Sequence, residues 1–509
     1  MKRDGALKSL WQGTAEEIRV GNNWNKDTLY DVLVVGAGIT GCTTALLLQS
    51  QGLNCILAEA NNVGFGTTGG TTAHLNTILD STYPEIESKF GEDEAKLVAR
   101  GTRESIDLIE GLVNKYNIDC GFAYRTGFLI AQDEKEVKEL RKMAEAAQRA
   151  GVVVSRTENV PTTLPYVEAI RVEMQAQIHP TCFINGLAKA YQQHGGVLLQ
   201  QCTVHKIESG ENYTADTSLG EIKAKYVIYA THIPPGITLY NFRCAPYRSY
   251  AIACTLADEQ YPDGLVYDLK DPYNYFRTQE VDGKKYMIAG GFDHKTGHNK
   301  NTEHVFAELE AFVRKHYNVS NIEYKWSSQY FVPADGLPYI GLMPGHDRMY
   351  IATGFNGNGM VLGPLSAKII CELITRQQSI YEKVFDPSRI KPIAGFTEFV
   401  KENADVISKF ISLRFSYKKI EELAQLAPGE GLLADWEDKK VALYKDENGH
   451  IYAVDPVCPH AGCLVEWNTA EKSWDCPCHG SRFGCNGTLL TGPANKGLEP
   501  MKWEDMEGD

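Results

Sequence analysis

The sequence lacks the features that direct a protein into or across a membrane. No apolar run approaches the roughly 18 residues that a membrane-spanning helix needs. Lys2 and Arg3 are not followed by the hydrophobic stretch of a secretory signal, and no Arg-Arg pair of the twin-arginine type occurs. We therefore expect no membrane span and a cytoplasmic location, where free thiols are normal and stable disulfides are rare.

Positive charge is also scarce. The 509 residues include 51 Lys and Arg against 65 Asp and Glu, which gives a formal net charge of −14. Such a surface repels polyanions, so we expect neither nucleic acid nor an anionic membrane as a partner. Hydrophobic residues make up 43% of the chain and charged residues 23%, as in folded globular proteins, and the length predicts two or three domains.

Cysteine and histidine are concentrated near the C-terminus. Residues 458–463 read Cys-Pro-His-Ala-Gly-Cys, and residues 476–481 read Cys-Pro-Cys-His-Gly-Ser. Each box offers a thiolate and an imidazole at short spacing, which suits a tetrahedral zinc site or an iron–sulfur cluster with mixed ligands. A zinc ribbon has no use for the second Cys of each box or for the Gly-Ser that follows, so the cluster is favoured.

The two boxes resemble the signature of the Rieske family, C-x-H-x-G-C and C-P-C-H-G-S, at nearly every position. The resemblance implies a [2Fe–2S] centre with two Cys on one iron and two His on the other. It assigns the metal ligands Cys458, His460, Cys476 and His479. It also assigns Cys463 and Cys478 to a disulfide that joins the two loops.

The resemblance carries an expectation about the reduction potential. In respiratory Rieske proteins the Ser of the second box and a Tyr two positions later both donate hydrogen bonds to cluster sulfur, which raises the potential. Here Ser481 is present, but Phe483 stands in the Tyr position. We therefore expect a potential below that of respiratory centres and within the Rieske range of about −150 to +300 mV.

A nucleotide site is predicted near the other end of the chain. Residues 30–35 read as a buried strand, residues 36–41 read Gly-Ala-Gly-Ile-Thr-Gly, and a second strand over 54–58 ends at Glu59. Strand, G-x-G-x-x-G, helix, strand and acidic residue form the whole dinucleotide-binding context. The glycines let backbone N–H groups approach a pyrophosphate at a helix N-terminus. Glu59 would accept hydrogen bonds from the adenosine ribose.

The loop after Glu59 favours FAD over NAD. Residues 63–73 are rich in Gly and Thr, and they resemble the loop of the D-amino-acid-oxidase-like superfamily, which includes glycine oxidase and sarcosine oxidase. Later segments match that superfamily in its own order: 178–191, 203–207, 226–231, 335–341 and 352–360. The motif and the resemblance together imply these FAD-binding residues: Gly36, Gly38, Ile39, Gly41, Glu59, Thr67, Thr68, Thr71, Thr72, Ala73, Val204, Ala230, Thr231, Gly354, Phe355, Asn356, Gly359 and Met360.

The predicted fold is an α/β FAD-binding domain of the Rossmann-like, glycine-oxidase type with an antiparallel-sheet substrate domain, followed by an all-β Rieske domain. The predicted boundaries are 1–29 for an N-terminal extension, 30–81, 176–239 and 326–384 for the FAD-binding domain, 82–175 and 240–325 for the substrate domain, 385–424 for a helical linker, and 425–509 for the Rieske domain. The isolated pair Leu10-Trp11 is expected to pack on the surface.

Because the flavin itself accepts the hydride, the protein mainly has to position the substrate and exclude water, and it needs few acid–base groups. We therefore take cations and tyrosines on substrate-domain strands as catalytic candidates: Tyr247, Arg248, Tyr250, Tyr275 and Arg277. Either arginine could bind a substrate carboxylate through two hydrogen bonds, or serve a structural ion pair.

Two histidine-containing segments have further alternatives. His74, next to the Gly/Thr loop, lies where some dimethylglycine- and sarcosine-dehydrogenase relatives bond a His to the flavin, although a non-bonded neighbour of the ring is favoured. Asp293, His294 and His298 match the carboxylate-plus-two-His set of mononuclear iron oxygenases in type but not in spacing.

The combination resembles a bacterial family of FAD-dependent oxidoreductases with a C-terminal Rieske domain. It predicts an enzyme, a dehydrogenase more than an oxidase, that acts on CH-NH or CH-NH2 donors. Electrons from an amine or amino acid would pass from FAD to the Rieske cluster and on to an external acceptor or redox protein. The alternative is an electron-transfer module that couples a partner protein to FAD without an amine substrate. A third possibility is an oxidase that uses O2 and keeps the cluster as a structural element.

Overall fold

The computed structural model describes residues 3–18, 20, 24–389, 405–406, 418–419, 426–436 and 439–501. Its helices are α1 (Leu10–Thr14), α2 (Ile39–Ser50), α3 (Thr67–Gly70), α4 (Tyr83–Phe90), α5 (Glu92–Tyr116), α6 (Glu134–Ala150), α7 (Pro180–Gln193), α8 (Leu239–Arg243), α9 (Thr302–His316), α10 (Gly359–Arg376) and α11 (Glu382–Phe385). None of these described helices is long and apolar enough to cross a membrane.

The strands run in chain order from β1 to β25. They are β1 (Leu29–Val35), β2 (Cys55–Ala58), β3 (His74–Leu75), β4 (Ala123–Ala131), β5 (Val154–Thr157), β6 (Glu168–Gln177), β7 (Val197–Leu199), β8 (Val204–Glu208), β9 (Tyr213–Thr217), β10 (Ile222–Tyr229), β11 (Cys244–Leu256), β12 (Leu265–Asp268), β13 (Tyr275–Val281), β14 (Lys284–Lys295), β15 (Val319–Pro333), β16 (Tyr339–Leu342), β17 (Met349–Thr353), β18 (Lys418–Lys419), β19 (Gly431–Trp436), β20 (Lys439–Lys445), β21 (Ile451–Val454), β22 (Glu466–Asn468), β23 (Ser473–Asp475), β24 (Arg482–Gly484) and β25 (Leu489–Thr491).

The first sheet carries the nucleotide motif. Its order is β16-β17-β10-β1-β2-β7, with β9 added to β10 and β8 added to β9. β1 is parallel to both neighbours, β2 and β10, and residues 32–35 on it are buried. Three residues separate the end of β1 from the start of α2. The predicted strand, glycine turn and helix are therefore confirmed, and the turn lies at the carboxyl edge of the sheet, where ligands of such folds bind.

The second sheet forms the substrate domain. Its order is β15-β11-β14-β13-β12-β4-β6-β3, with β5 paired to β6, and only the β4–β12 pair is parallel. β15 stays in this sheet as far as Pro333, and β3 belongs to it too. The sequence analysis assigns residues 74–75 and 326–333 to the FAD-binding domain, but the structure places them in the substrate sheet. There β3 pairs with β6, and β15 pairs with β11 along its whole length.

The helices of the substrate domain follow from local signals. Asp133 caps α6 by accepting hydrogen bonds from Lys135 N and Glu136 N, both at 2.9 Å. Gly151 ends that helix in the left-handed conformation at φ 96°. α5 buries one apolar stripe and ends at Asn117, also left-handed. The predicted helices over 92–117 and 135–150 are confirmed.

In the part of the Rieske domain that the structure describes, the strands form two four-stranded sheets, β18-β19-β20-β21 and β22-β23-β24-β25. The predicted strands over 440–444 and 451–454 are confirmed as antiparallel partners. Their turn is closed by the Asp446 carboxylate, which accepts hydrogen bonds from Asn448 N and His450 N at 2.9 and 2.8 Å. Trp467, Trp474 and Phe483 fill the core below the two cysteine boxes. Apart from residues 405–406, the predicted linker helix over 396–415 lies outside the described residues.

The N-terminal segment is part of the core, and the prediction that Leu10-Trp11 packs on the surface is wrong. Both side chains are fully buried. Trp11 Nε1 donates to the Thr71 carbonyl in the Gly/Thr loop, and the guanidinium of Arg277 lies 5.0 Å from the Trp11 ring centroid. α1 thus fills the space between the nucleotide sheet and the substrate sheet.

Candidate functional site

A groove of about 600 Å³ runs along the carboxyl edge of the first sheet. It brings together most of the residues predicted to bind FAD: Gly36, Gly38, Ile39, Glu59, Thr67, Thr68, Thr71, Val204, Ala230, Thr231, Phe355, Gly359 and Met360. Their convergence from five separate segments supports a single elongated ligand, and their role toward FAD stays a prediction.

The start of α2 is built for an anion. A Cβ atom on Gly41 would lie 1.8 Å from the Gly36 carbonyl oxygen, and Gly36 itself has φ of +102°. Only glycine allows this approach of helix to strand. The Ile39 N–H at the first turn donates to the Thr68 hydroxyl at 3.1 Å, so an oxygen atom already lies where a phosphate oxygen would be held.

Glu59 has the position expected of the ribose-binding carboxylate. Its two oxygens accept hydrogen bonds from Ala37 N at 2.7 Å and Asn61 N at 2.9 Å. Burial raises its pKa above the usual range, and those two backbone N–H groups oppose the rise. The polar groups of the groove therefore fit FAD: backbone N–H groups at a helix N-terminus, a carboxylate at the end of β2, and small hydroxyl residues between them.

The remaining predicted FAD residues lie beside the groove rather than on it. Gly41 packs against the Gly36 carbonyl within the turn, and Thr72 lines the smaller cavity described next. Ala73 is fully buried. Gly354 packs on Cys244 and Pro333, and Asn356 Nδ2 donates to the Ser81 hydroxyl at 3.1 Å. Their contribution would be to shape the groove.

A second cavity, of about 90 Å³, adjoins the groove on the side of the substrate domain. The two spaces share six lining residues: Thr67, Thr71, Gln329, Tyr330, Gly357 and Met360. The floor comes from the Gly/Thr loop and the walls from β11, β12, β13 and β15. A substrate in this cavity would be next to a flavin in the groove.

Of the predicted catalytic residues, His74 and Tyr275 line this cavity. The Tyr275 hydroxyl lies 2.8 Å from the Ser249 hydroxyl. The His74 ring meets the Tyr275 ring edge-on at 5.4 Å, and burial, followed by the charge of Arg277, holds its pKa well below the usual range. His74 is therefore a neutral imidazole in the wall of the cavity.

Arg248 is on the opposite face of β11, which corrects its predicted role as a carboxylate-binding residue. Successive side chains of a strand point to opposite faces, so Ser249 faces the cavity and Arg248 faces the Rieske domain. Its guanidinium donates to the Ser327 hydroxyl at 2.7 Å and pairs with Asp475 at 3.5 Å. Tyr250 shares that face and bonds to His294 at 2.9 Å.

The two other candidates also lie outside the cavity lining. Arg277 is fully buried, donates to Gln279 Oε1 at 2.9 Å and the Ile178 carbonyl at 3.1 Å, and stacks on Trp11. The Tyr247 ring lies 6.0 Å from the Tyr330 ring. Neither Arg277 nor Tyr247 is among the residues that line the cavity.

Asp80 and Asp293 are the most distinctive polar groups of the cavity; sequence reasoning missed Asp80 and considered Asp293 only as a candidate iron ligand. Asp80 accepts hydrogen bonds from the Tyr273 hydroxyl at 3.1 Å and Asn358 Nδ2 at 3.2 Å. Asp293 accepts one from the Tyr330 hydroxyl at 2.7 Å. Burial raises the pKa of Asp80 to about 7 and that of Asp293 to about 6. A tyrosine-rich pattern on adjacent strands was the available signal.

The Asp293, His294 and His298 set does not form an iron site. Asp293 faces the cavity and Tyr330, whereas His294 Nε2 bonds to Tyr250 on the other side of β14. His298 lies 3.3 Å from Asp405. The three groups diverge because neighbouring residues of a strand alternate in direction.

The two cysteine boxes converge as predicted. The thiols of Cys458 and Cys476 lie within hydrogen-bonding reach of each other, and the rings of His460 and His479 are 4.9 Å apart. The Nδ1 atoms of both histidines are buried without a hydrogen-bond partner. Burial lowers the pKa of both imidazoles, that of His479 to about 4, so neutral ring nitrogens are available as ligands. This donor set, two sulfurs and two nitrogens, fits a Rieske cluster.

Cys463 and Cys478 form the predicted disulfide. The sulfur of Cys476 lies within 4.8 Å of both disulfide sulfurs. Because the latter are bonded to each other, Cys476 is the only thiolate donor of that group.

The histidine side of the cluster site is packed against the FAD-binding part. His460 Nε2 lies 3.2 Å from the Gly236 carbonyl, and Gly236 N donates to the Pro493 carbonyl at 2.8 Å. The His479 ring meets Phe242 edge-on at 5.2 Å. Residues 489–492 and 494–497 of the Rieske domain form one wall of the FAD groove.

Six buried charged groups, called here the ionic network, hold this arrangement together. They are Arg3, Asp4, Arg248, Glu471, Asp475 and Arg482. Arg482 donates to Asp475 at 3.0 Å and to Asp4 at 2.9 Å. Burial alone would raise the pKa of Asp475, but the charges of Arg482 and Arg248 outweigh it and lower the pKa to about 2. The network joins the N-terminal segment, the substrate domain and the Rieske domain.

Ser481 is placed to tune the cluster. Its hydroxyl lies within hydrogen-bonding reach of the Cys458 sulfur and accepts from Ala494 N at 3.0 Å. Donation to sulfur stabilises the more negative reduced state. We expect Ser481→Ala to lower the reduction potential by on the order of 60 mV, since ~1.4 kcal/mol of lost hydrogen bonding corresponds to ~59 mV for one electron.

Redox titration followed by EPR measures this shift. Phe483→Tyr, which adds a donor where the sequence lacks one, is expected to move the potential upward. Unchanged potentials in both variants would contradict the assignment of these side chains as neighbours of the cluster sulfurs.

Two profiles of known families match the chain. The FAD dependent oxidoreductase family matches residues 31–373, and the Rieske [2Fe-2S] domain matches residues 416–502. The chain belongs to the FAD-dependent oxidoreductase family and carries a C-terminal Rieske domain. FAD and a [2Fe–2S] cluster are accordingly its cofactors.

Among curated proteins, the Rieske 2Fe-2S iron-sulfur protein YhfW of Bacillus subtilis (strain 168) is 33% identical over 486 residues, 95% of this chain and 94% of that protein. The gamma-glutamylputrescine oxidoreductase of Escherichia coli (strain K12) is 23% identical, over 72% of this chain and 88% of that protein. Among solved structures, glycine oxidase from Geobacillus kaustophilus superposes with a TM-score of 0.59 at 19% identity, over 71% of this chain and 99% of that one. The predicted glycine-oxidase-type fold is confirmed.

Proposed function

We propose that the protein oxidises a small amine or amino acid at the carbon next to nitrogen and delivers the electrons through its Rieske domain to an external acceptor. Bound FAD supplies a hydride acceptor, and a bound [2Fe–2S] cluster supplies a one-electron carrier. The chain's own residues hold the substrate in the cavity beside the groove, exclude water, and keep the two cofactor sites in fixed relation. We further propose that this takes place in the cytoplasm.

The observation that carries this proposal is the closure of the FAD groove by the Rieske loops. The side chains of His460 and His479 are only 8% and 4% exposed, because Gly236 and Phe242 cover them. A cluster held by these imidazoles has its histidine edge directed at the FAD-binding part, not at a docking partner. That orientation supports electron exchange within the chain, and the names of the relatives, which refer to amine and amino acid substrates, support the donor class.

The cavity favours an enzyme over an electron-transfer module without a small substrate. An electron-transfer module without a small substrate does not need a cavity next to the FAD groove. In such a module apolar side chains could fill that space. Here the cavity is retained at about 90 Å³ with polar groups around it.

The Cys476→Ser variant tests the route. We expect the variant to lose the cluster, because one of two sulfur ligands is removed. An amine substrate should still bleach the flavin under anaerobic conditions, while reduction of a one-electron acceptor falls to near zero. Stopped-flow absorbance separates the two steps.

Cys485→Ser is the matched control, since Cys485 is a free and partly buried thiol of the same domain that no ligand set includes. It should leave both steps intact. Unchanged acceptor reduction in Cys476→Ser, with stoichiometric peroxide from O2, would instead support an oxidase whose cluster is structural.

A further inference from the structure

We infer that the cavity beside the FAD groove binds a small amine as its ammonium cation and selects against substrates that carry a carboxylate. The inference rests on the proposed function, because it names the substrate class of that same site.

The charges of the lining are the first argument. Asp80 and Asp293 both face the cavity, and the described residues that line it include no arginine or lysine. Within the described part of the chain, neither carboxylate takes part in an ion pair, although both are buried enough for their pKa to rise. A buried carboxylate without a cation is unfavourable, so the site is completed by a ligand that brings positive charge.

Unpartnered polar atoms are the second argument. Buried polar groups of proteins are bonded in the great majority of cases. Four atoms of this one lining lack a hydrogen-bond partner: Asp293 Oδ1, the Tyr267 hydroxyl, His74 Nε2 and the Ser328 hydroxyl. Their concentration in a single cavity indicates a bound molecule with N–H donors, and Asp293 Oδ1 is the acceptor for an ammonium group.

The third argument is the ring of tyrosines. The centroid of the Tyr273 ring lies 6.4 Å from that of Tyr267 and 5.7 Å from that of Tyr275, and Tyr330 faces the same space. Aromatic faces attract ammonium and alkylammonium groups. The cavity volume of about 90 Å³ holds several water molecules, since one requires roughly 10–15 Å³. The ligand is therefore a methyl- or ethyl-substituted amine of a few non-hydrogen atoms.

The two arginines that could have received a carboxylate are engaged elsewhere. Arg248 pairs with Asp475 across the domain interface, and Arg277 donates to Gln279 and Ile178 while stacking on Trp11. A substrate carboxylate would meet Asp80 and Asp293 with no cation to offset the repulsion.

The reaction balances for such a substrate. The bound ammonium gives its nitrogen proton to the carboxylate pair, and the neighbouring carbon gives a hydride, that is, two electrons and one proton, to the FAD of the holoenzyme. The product is an iminium ion, which water hydrolyses to an aldehyde and the shorter amine. The two electrons leave by way of the Rieske domain.

Isothermal titration of the holoenzyme with tetramethylammonium tests the inference, because this cation has no N–H proton to lose: it cannot titrate, and it cannot become the neutral amine from which a hydride leaves. We expect it to bind, and tert-butanol, a neutral molecule of similar shape, to bind far more weakly. In Asp293→Asn the affinity for the cation should fall on the order of thirtyfold, as for other desolvated charge pairs. Asp263→Asn, the same charge change at an exposed side chain, should have no effect.

The pH dependence in the unaltered protein gives a test that needs no variant. Carboxylates bind the cation in their deprotonated form, so affinity should rise as pH increases from below 6 to above 7, the range set by Asp293 and Asp80. The other titratable groups that face them are His74, neutral throughout, and tyrosines whose pKa burial raises to far higher values: Tyr267, Tyr273, Tyr275 and Tyr330. Arg277 behind His74 stays charged, because its pKa is about 9.

The outcomes separate this inference from the proposed function. Cation binding that depends on pH and on Asp293 supports the inference, and if no amine then reduces the flavin, only the proposed amine oxidation fails. Flavin reduction by glycine or N-methylglycine, together with cation binding no tighter than that of tert-butanol, would overturn the inference and leave amine oxidation standing.

Discussion

Arg482→Met is expected to destabilise the folded chain by about 3–5 kcal/mol, because Asp4 and Asp475 stay buried after losing the cation they share, with only Arg3 and Arg248 left to pair with them. Arg482 is fully buried, and its guanidinium bonds to Asp475, Asp4 and the Ser473 hydroxyl. Arg482→Lys should rescue little, since one ammonium group cannot reproduce the planar fork that serves three acceptors. The urea midpoint of unfolding, followed by tryptophan fluorescence, measures the loss.

Lys206→Met is the control for this prediction. Lys206 pairs with Glu208 on the surface, where both side chains are more than half exposed, so no measurable change is expected.

The pH dependence of stability is a second check on the ionic network. Asp475 has a pKa of about 2 against an ordinary value of 3.8, so its ion pairs stabilise the fold above about pH 4 and lose that contribution as pH falls toward 2. Equal midpoints for Arg482→Met and the parent protein would refute the importance of the network.

Gly41→Ala is expected to abolish FAD binding. The added methyl group would lie 1.8 Å from the Gly36 carbonyl oxygen, and the next nearest atoms belong to Gly36 and Ala230. Backbone atoms cannot rotate away as a flexible side chain can, so α2 must shift and the groove at its N-terminus is lost. The absorbance ratio of flavin to protein after purification should fall close to zero.

Gly111→Ala provides the matched control. Gly111 is in α5, and its Cβ would meet no atom within 4 Å. There the substitution should stabilise the helix by roughly 0.5–1 kcal/mol and leave FAD content unchanged. A Gly41→Ala variant with full FAD content would contradict the account of the turn.

Sequence reasoning succeeded where the chemistry lies within a few neighbouring residues. The Cys and His residues of the two boxes lie in short segments, and the nucleotide turn is continuous over 36–41, so local spacing already places the side chains of each motif close together. The glycine-oxidase-type fold followed from motifs in a fixed order, and the structure confirms it.

Sequence reasoning failed where the role of a residue depends on which face of a strand its side chain occupies. Arg248 and Ser249 are adjacent in sequence, yet one contacts Asp475 and the other lines the cavity. The register of β11 against β15 sets which face each of these side chains occupies, and that register depends on pairing across the sheet. Asp80 was missed, and Asp293 was considered only as a candidate iron ligand, for a related reason: they come from a loop and a strand that only the folded chain brings to one cavity.

The ionic network also has a consequence for the order in which the protein assembles. Arg3 and Glu471 are 468 residues apart along the chain. At typical rates of about 5–20 residues per second, a ribosome needs on the order of half a minute or more to make the stretch between them. Throughout that time Arg3 and Asp4 have no Rieske domain to contact, so a FAD-binding part that folds during synthesis does so without these contacts. The last domain to be synthesised is therefore the one that fixes the first residues in place.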